Sequence, residues 1–240
     1  ASTIDKNGNV NLSPFSFFNL FSSNPPILIF SPARRVRDNS TKDTLHNVLE
    51  VPEVVIGNVN FDMVQQVSLS STEYETGVDE FIKSGLTKKP AELVKPPLIA
   101  ESPVNFECKV IEVKPLGNEG GAGNLVICEV LKIHIREEFL NEEGNLDQKK
   151  LDLVSRLGGN WYGRTTAETL FEVPKPLVTK GIGFDQLPSE IKNSKIFTGN
   201  DLGMLANVEQ LPEGNFSADE NLHLEAQKLL LEGKIEEAWK

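Results

Sequence analysis

Alternation of apolar and polar residues marks the clearest strands of this chain. Over residues 104–110 the apolar side chains recur at every second position, which is the period of a β-strand. A second long strand is predicted over 125–135, and the Gly-rich segment 114–124 between the two predicts a hairpin loop. That segment lacks the Lys-Ser/Thr of a phosphate-binding P-loop and no helix follows it, so we do not interpret it as a nucleotide cradle.

Shorter strands are predicted in the first part of the chain. Residues 2–5 lead into Asn7-Gly8, a pair that supplies the positive φ angles of a tight hairpin turn, and residues 10–18 read as the returning strand. The run 27–30 is apolar at every position, which predicts a strand buried on both faces. A further short strand is expected over 58–61.

Helical spacing of apolar residues predicts several short helices. They are expected over 40–49, 62–68, 78–84, and, near the C-terminus, after Ser217 and over 234–240. Ser40 or Thr41 is expected to cap the first helix, and Gly85 to end the third. Ser217 to Glu220 has the form of a capping box.

Many short strands with turn signals favour a closed barrel over an open sheet. We therefore predict a mainly β, antiparallel structure with short inserted helices and a helical C-terminal tail. The predicted units are a barrel domain over 1–184 and an extension over 185–240, which packs on the barrel or on a partner.

Composition and charge narrow the classes of function. The chain has 240 residues, of which 39% are hydrophobic and 25% charged, as in ordinary globular proteins. A net charge of −11 disfavours nucleic-acid binding. The sequence contains no apolar run of about 18 residues, the length that a membrane span requires. The two cysteines, Cys108 and Cys128, lie in apolar runs and are expected to be buried free thiols. We predict a cytoplasmic protein.

No single motif reveals chemistry. The three histidines have no metal-site spacing, and neither a Gly-x-Ser-x-Gly elbow nor a dinucleotide-binding Gly-x-Gly-x-x-Gly after a strand is present. Isolated motifs therefore indicate only a β-barrel-like domain without a metal site.

The order of several segments says more, because together they resemble the flavin reductase-like, FMN-binding split-barrel family. These segments are N-L-S-P-F-S-F-F-N at 11–19, Pro25-Pro26 with the strand after it, K-D-T-L-H-N at 42–47, and the segments 99–108, 130–137 and 156–162. The resemblance covers about residues 1–180. It implies a split β-barrel of Greek-key type, bound FMN, NAD(P)H as hydride donor, and a homodimer with FMN at the interface. Two departures are Cys128, where the family pattern has Gly, and a first strand that is expected to be truncated.

Candidate phosphate-binding residues surround a predicted helix start and the end of a predicted strand. They are Lys42, Thr44 and Asn47 at the helix, and Ser31, Arg34 and Arg35 after the strand. Free N–H groups at a helix start and guanidinium groups both favour a phosphate dianion. The alternative is ordinary capping by Ser40 or Thr41 beside a solvated basic loop.

Candidate residues for the flavin ring lie in the segment 11–17. They are Asn11, Ser13, Pro14, Phe15, Ser16 and Phe17. In a strand the odd-numbered members would share one face, and Pro14 would break the ladder because it has no N–H. The alternative places the aromatic residues in the core, and for Phe18 we prefer that interpretation.

The resemblance implies roles for further residues. It places the catalytic candidate His134 near the flavin, on the strand face predicted to hold Cys128 and Val130, although a structural hydrogen-bonding role is an equal alternative. It assigns Ser102 and Phe171 to the cofactor. The residues implied at the substrate entrance are Arg156, Gly158, Gly159 and Tyr162, whose alternative interpretation is a Gly-permitted turn.

The favoured function is reduction of bound FMN by NAD(P)H, with a small-molecule electron acceptor or redox partner. The alternative is a flavoredoxin-like electron-transfer or flavin-binding protein without useful NAD(P)H turnover. A pyridoxamine-phosphate oxidase on a related barrel is less favoured, because the sequence lacks the basic phosphate motifs of that family.

Overall fold

The computed structural model of the protein describes residues 1–177 and 180–240. The chain divides into two compact units, Ala1–Phe171 and Glu172–Lys240. The predicted boundary at 184–185 lies inside the second of these units. All strands of the described residues belong to the first unit.

Eleven strands among the described residues form one seven-stranded sheet and two two-stranded sheets. They are β1 (Ser2–Ile4), β2 (Val10–Leu12), β3 (Phe18–Ser23), β4 (Pro26–Phe30), β5 (Glu53–Gly57), β6 (Lys88–Lys89), β7 (Leu98–Ile99), β8 (Val104–Pro115), β9 (Asn124–Ile135), β10 (Val154–Arg156) and β11 (Tyr162–Arg164). The large sheet is antiparallel and has the order β2-β1-β5-β8-β9-β4-β3. The small sheets pair β6 with β7 and β10 with β11.

The long hairpin of β8 and β9 is confirmed, together with its predicted Gly-rich loop. Its register contains two irregularities that the sequence pattern did not predict, one between Glu107 and Cys108 and one between Val110 and Glu112. Cys108 pairs with Val130, whereas the preceding Glu107 pairs with Lys132, so Leu131 is an extra residue on β9. Residues beyond the bulge therefore change faces relative to those before it.

The first strands are shorter than predicted. The turn between β1 and β2 is confirmed, with Gly8 at φ 90°. Strand β2 ends at Leu12, and the segment 13–17 is a loop that leads into β3, so the predicted strand over 10–18 is wrong in its second half. The strand expected over 58–61 is also wrong, because the pairing with β8 involves residues 53–57 instead.

Strand β4 is buried on one face only. Leu28 and Phe30 are buried, whereas Ile27 and Ile29 between them are half-buried. The prediction of burial on both faces is therefore wrong. The run of apolar residues did not reveal that this strand lies next to β3, the last strand of the sheet.

Eight short α-helices occur among the described residues, and the first three and the last two of them were predicted. They are α1 (Asp43–Glu50), α2 (Val64–Leu69), α3 (Glu80–Ser84), α4 (Gln148–Leu151), α5 (Ser189–Lys192), α6 (Gly199–Leu205), α7 (Glu220–Leu231) and α8 (Ile235–Ala238) among the described residues. Gly85 ends α3 in the left-handed conformation, as expected. The residue before α7 is Asp219, which accepts a hydrogen bond from the Asn221 N–H, so the predicted capping box at Ser217 is wrong.

Helix α1 begins at Asp43 without a side-chain cap. The prediction that Ser40 or Thr41 caps it is wrong, because both hydroxyls have other partners. Ser40 Oγ donates to Asp38 and accepts from Arg35, and Thr41 Oγ1 lies 2.6 Å from His46 Nε2. The first turn of α1 therefore lacks the side-chain acceptor that most helix starts have.

Two apolar cores lie on opposite faces of β5 in the first unit. On one face, Val54 and Ile56 pack with α1 and with Cys108 and Cys128 of the long hairpin. On the other face, Val55 packs with residues of β2, α3 and β7. Alternate residues of one strand thus fix both layers.

The second unit is helical around its own core. Leu202 and Leu205 of α6 pack with Leu230 of α7, and Trp239 joins them from after α8. No helix within 1–177 or 180–240 is both long and apolar enough to cross a membrane.

The side chains of Cys108 and Cys128 are both 0% exposed and both are free thiols. Burial raises the pKa of Cys108 to about 12 and also raises that of Cys128. Because the thiolate is the reactive form, we predict that neither residue reacts with an aromatic disulfide reagent at pH 7 until the protein unfolds. Absorbance of the released thiolate measures this. Rapid stoichiometric reaction of the native protein would contradict it, and reaction of both thiols in guanidinium is the control.

Candidate functional site

The segment 31–42 between β4 and α1 gathers positive charge beside the loop that follows β2. Its backbone is fixed by the loop of the long hairpin: the Arg34 N–H donates to Ala122 O, and the Gly121 N–H donates to Arg34 O. Gly120 approaches so closely that a Cβ there would lie 3.0 Å from Val36 Cα. A side chain at this position would require the two backbones to move apart by a few tenths of an ångström, so glycine favours the close approach.

Arg35 and Lys42 converge on one site. The Arg35 guanidinium donates to Ser40 Oγ at 3.0 Å and to Thr41 O at 2.8 Å. Lys42 Nζ donates to Ser13 Oγ at 3.3 Å and lies 5.3 Å from the centroid of the Phe15 ring. We call this group of six residues the cation cluster: Ser13, Phe15, Arg35, Ser40, Thr41 and Lys42.

The Arg35 and Lys42 side chains are both partly buried. Burial lowers the pKa of the Lys42 ammonium, and the charge of Arg35 lowers it further. Arg35 Nε is buried and donates no hydrogen bond to the part of the chain that the structure describes, although Glu73 Oε1 lies 3.1 Å away. Two like charges and an unfilled donor in one place form a site that favours an anion.

Arg34 and Ser31 support this segment from within. Arg34 Nε donates to Asn39 Oδ1 at 2.7 Å and a terminal nitrogen donates to Asn39 O at 2.9 Å, which closes the turn before Ser40. The Ser31 N–H donates to Phe17 O, and its hydroxyl faces Gly123, where a Cβ would come within 2.5 Å. Their described contacts are those of residues that shape the loop.

Thr44, Asn47 and Asn11 lie in a buried polar network under the start of α1. Thr44 is 0% exposed, and its Oγ1 accepts a hydrogen bond of 2.9 Å from Asn11 Nδ2. Asn47 Nδ2 donates to Thr3 Oγ1 at 3.1 Å, which ties β1 to the helix. These three candidates are therefore buried, and their side chains are engaged by hydrogen bonds within the protein.

The segment 13–17 is partly open. Phe15 is half-buried and packs on Phe30, with ring centroids 5.1 Å apart, whereas Phe17 is 69% exposed and Ser16 is also exposed. The predicted shared face of the odd-numbered residues is wrong, because the segment is a loop. Phe18 packs against the core, as preferred from the sequence.

A cavity of about 80 Å³ lies behind this segment and is lined by Ser13, Pro14 and Phe15 with residues of both cores. Glu80 of α3 contacts Leu12, which also lines this cavity, and the sequence did not predict this role for Glu80. This side chain is 8% exposed, and its Oε2 accepts the Leu12 N–H at 2.9 Å. Burial raises the pKa of the Glu80 carboxyl. The 68 residues that separate the two partners left no local pattern to reveal the contact.

His134 lies on the face of β9 opposite to Cys128 and Val130, because the bulge at Leu131 intervenes. The prediction of a shared face is therefore wrong. His134 Nε2 lies 2.5 Å from Oε1 of Glu107, a carboxylate that is 0% exposed. A ring nitrogen that faces a carboxylate carries the proton, so Nε2 donates. The catalytic role of His134 stays a prediction, and its described contacts are structural.

Glu107 clamps the backbone of the segment 92–94. Its carboxylate accepts N–H groups from Glu92 at 2.9 Å, Leu93 at 2.5 Å and Val94 at 3.1 Å. Burial alone would raise the pKa of Glu107, but these hydrogen bonds and the one from His134 outweigh it and lower the pKa.

The remaining candidates lie apart from the cation cluster. Ser102 is 0% exposed, and its Oγ lies 2.8 Å from both Asn58 O and Val104 O, which fixes the start of β8. Phe171 is 84% exposed at the end of the first unit.

The four entrance candidates belong to the hairpin of β10 and β11. Arg156 stacks on Tyr162 at 5.1 Å, and Gly158 and Gly159 form the turn, with Gly159 at φ 58°. The tip also carries Trp161, which is 76% exposed. A Gly-permitted turn is thus what the structure shows there.

In the second unit, Ser194 and His223 have the spacing of a nucleophile and its base. Ser194 Oγ lies 2.8 Å from His223 Nδ1, and His223 Nε2 lies 2.8 Å from Ser217 O. However, the N–H groups of Ile196 and Phe197 also donate to Ser194 Oγ. Both lone pairs of the hydroxyl are therefore engaged, and the arrangement is a structural one.

Comparison with known proteins identifies the family. The model of the flavin reductase like domain matches residues 1–152. This chain belongs to that family. An uncharacterized protein from Aquifex aeolicus is 36% identical over 172 residues, which cover 72% of this chain and 85% of that protein.

Solved structures agree with the family. Nitrilotriacetate monooxygenase component B from Bacillus cereus is similar with a TM-score of 0.65 and 26% identity, over 72% of this chain and 84% of that one. A candidate flavin reductase with a split barrel domain from Shewanella frigidimarina has a TM-score of 0.62 and 25% identity, over 72% and 83% of the two chains. The expected split barrel and the predicted family are thereby confirmed.

The cation cluster fits the flavin mononucleotide that the family implies. A phosphate monoester needs cationic and N–H donors, and the site offers Lys42, the unfilled Arg35 Nε and an α1 start without a side-chain cap. A flavin ring needs an apolar surface nearby, and Phe15 supplies one that is half-buried.

The Glu107 clamp predicts a pH-dependent stability. Because the folded pKa of Glu107 lies below its ordinary value of 4.5, its contribution is present above that pH and is lost as the pH falls through the folded pKa. We expect Glu107→Gln to lower the unfolding free energy at pH 7 by about 1.5–3 kcal/mol, and the deficit to shrink below about pH 4. Urea unfolding at several pH values measures both effects.

Glu112→Gln is the matched control, because Glu112 is an exposed carboxylate on the same strand. A deficit for Glu107→Gln that stays constant from pH 7 to pH 3 would show that the charge of Glu107 does not carry the contribution.

Proposed function

We propose that this protein binds FMN at the cation cluster and reduces it with NAD(P)H. The observation that carries the proposal is the convergence of the partly buried Arg35 and Lys42 beside Ser13 and Phe15, with a buried Arg35 donor unfilled. Membership of the flavin reductase-like family supports the same chemistry. When bound, FMN supplies a redox centre that takes a hydride from NAD(P)H at flavin N5.

The proposal gives the chain's residues distinct tasks. Lys42 and Arg35 hold the phosphate by charge-assisted hydrogen bonds, and Ser13 orients Lys42. Phe15 offers its ring to the isoalloxazine system, while Phe30 behind it fixes the position of Phe15. The loop is held at its two ends, where Ser13 pairs with Ala1 and Phe17 O accepts the Ser31 N–H. Pro14 has no N–H, so the backbone of residues 14–16 between these ends is available to the polar edge of the ring.

Glu80 and the buried network act through the backbone. Glu80 holds the Leu12 N–H, which fixes the point where the loop leaves the sheet. Thr44 and Asn11 hold the start of α1 against β2. We propose these as positioning residues, because their polar groups are already engaged within the protein.

The alternative of electron carriage without NAD(P)H turnover uses the same cation cluster. Anaerobic stopped-flow mixing of the FMN-loaded protein with NADH and with NADPH separates the two functions. Bleaching of the flavin absorbance at a rate that saturates with nucleotide supports the reductase. Stable oxidised flavin under both nucleotides would leave only electron carriage.

Substitution of Lys42 tests the phosphate site itself. Lys42→Met keeps the aliphatic length and removes the charge, so FMN affinity should fall by about 10- to 150-fold, the equivalent of a charged hydrogen bond. Riboflavin has no phosphate and should bind almost unchanged. Quenching of flavin fluorescence measures both affinities, and Lys114→Met, an exposed lysine of β8, is the control. Equal weakening of FMN and riboflavin would place the phosphate elsewhere.

We further propose that two copies assemble, with the flavin site at their interface. Strand β3 is the last strand of the large sheet, and its Leu20 and Phe21 are 55% and 64% exposed. An apolar edge strand of this kind needs cover. Cytoplasmic location and a small-molecule electron acceptor stay predictions alongside this one.

Light scattering at micromolar concentration should give twice the chain mass of 26.5 kDa. Phe21→Glu should shift the mass to that of one chain, because it places a charge on the apolar edge. Ile82→Glu, at a 78% exposed position of α3, should leave the mass unchanged. A wild-type mass of one chain would refute the assembly.

A further inference from the structure

The cation cluster has an anionic partner within the chain. Glu73 Oε1 lies 3.1 Å from Arg35 Nε, and Glu73 Oε2 lies 3.1 Å from a terminal nitrogen of Arg37. One carboxylate thus spans two arginines of the segment that is proposed to hold the phosphate. Glu73 belongs to the segment 71–79, which connects α2 with α3.

The 71–79 segment is anchored mainly at its ends. Just before it, Ser70 is 3% exposed and donates to Val67 O. At its far end, Asp79 accepts the Phe81 N–H at the start of α3 and forms an ion pair with Lys88. Residues 71–77 are otherwise exposed, except for the half-buried Tyr74. The ion pairs of Glu73 therefore join the middle of this segment to the arginines.

The Glu73 contacts are weak ones. Its side chain is 51% exposed and that of Arg37 is 74% exposed, so water and salt screen the attraction. Arg35 Nε makes no hydrogen bond within the described residues despite the nearby carboxylate, which shows that the pair is a charge contact without aligned donor geometry. A phosphate monoester brings more charge and three terminal oxygens, and would compete effectively for the same guanidinium.

We propose that Glu73 is an internal competitor of the FMN phosphate. It neutralises Arg35 until the phosphate replaces it there, and FMN binding thereby breaks one of the two contacts that join the 71–79 segment to the arginines. The inference rests on the proposed function, because it needs FMN at the cation cluster. It adds that the affinity for FMN and the order of this segment are linked through one carboxylate.

Removal of the competitor should strengthen FMN binding. With Glu73→Gln at low ionic strength, we expect FMN to bind about two- to five-fold more tightly, the range for a half-exposed ion pair, and riboflavin to bind as before. The gain should disappear at high salt. Glu75→Gln is the matched control, because Glu75 is an exposed carboxylate of the same segment and its loss changes the net charge equally.

Hydrogen exchange reports on the segment independently of affinity. In the wild-type protein, FMN but not riboflavin should increase amide exchange within 71–79, because only FMN carries the phosphate. In Glu73→Gln, exchange there should already be fast without flavin and should not increase further.

The outcomes separate this inference from the proposed function. If wild-type protein binds neither flavin, or binds both equally, the phosphate site itself is refuted. If wild-type protein prefers FMN but Glu73→Gln binds FMN equally or more weakly, Glu73 does not compete and only the present proposal is overturned. The same holds if Glu75→Gln tightens FMN binding as much as Glu73→Gln.

Discussion

Two like charges held partly out of water at the junction of β4 and α1 are the constraint around which this protein is organised. Both side chains, those of Lys42 and Arg35, are partly buried there, and burial together with the charge of Arg35 lowers the pKa of Lys42. Such a pair persists only where the surrounding structure holds it in place. Three groups stabilise the pair: the Ser13 hydroxyl and the Phe15 ring contact Lys42, and the Glu73 carboxylate contacts Arg35.

The scaffold around this junction is polar as well as apolar. Thr3, Asn11, Thr44 and Asn47 join two strands and a helix through buried hydrogen bonds that satisfy one another. Glu80 reaches the backbone of β2 from α3. Directional contacts of this kind fix the helix start relative to the sheet more narrowly than apolar packing does, because each bond tolerates little displacement.

Regular periodicity predicted the long hairpin, its loop and the mainly β fold, because these elements repeat over many residues. The bulge at Leu131 could not be predicted in the same way, since an extra residue leaves the alternation of residue types unchanged while it exchanges the faces. The helix cap failed for a different reason: Ser40 and Thr41 have the right chemistry, but Arg35, Asp38 and His46 engage them.

Within the candidate site, Arg35, Lys42, Ser13 and Phe15 were predicted from a family resemblance, and the structure brings them together. Glu80 and Glu73 were missed because each contacts residues that lie more than thirty positions away in the sequence. Patterns within a short window of sequence do not reveal such contacts. Thr44 and Asn47 have the expected residue types, but their burial depends on β1 and β2, which a local pattern at the helix does not include.

The Gly-rich loop at 117–123 is not a phosphate-binding motif, yet it affects the cation cluster indirectly, through the backbone next to Arg35. Gly120 lies against the backbone of Val36 and Arg35, and a Cβ there would come within 3.0–3.2 Å of their atoms. The loop of the long hairpin thus contacts the backbone of residues 34–36 and fixes its position. A side chain at residue 120 would press on the backbone of Arg35 and Val36, so the position of the Arg35 guanidinium depends on a glycine more than eighty residues further along the chain.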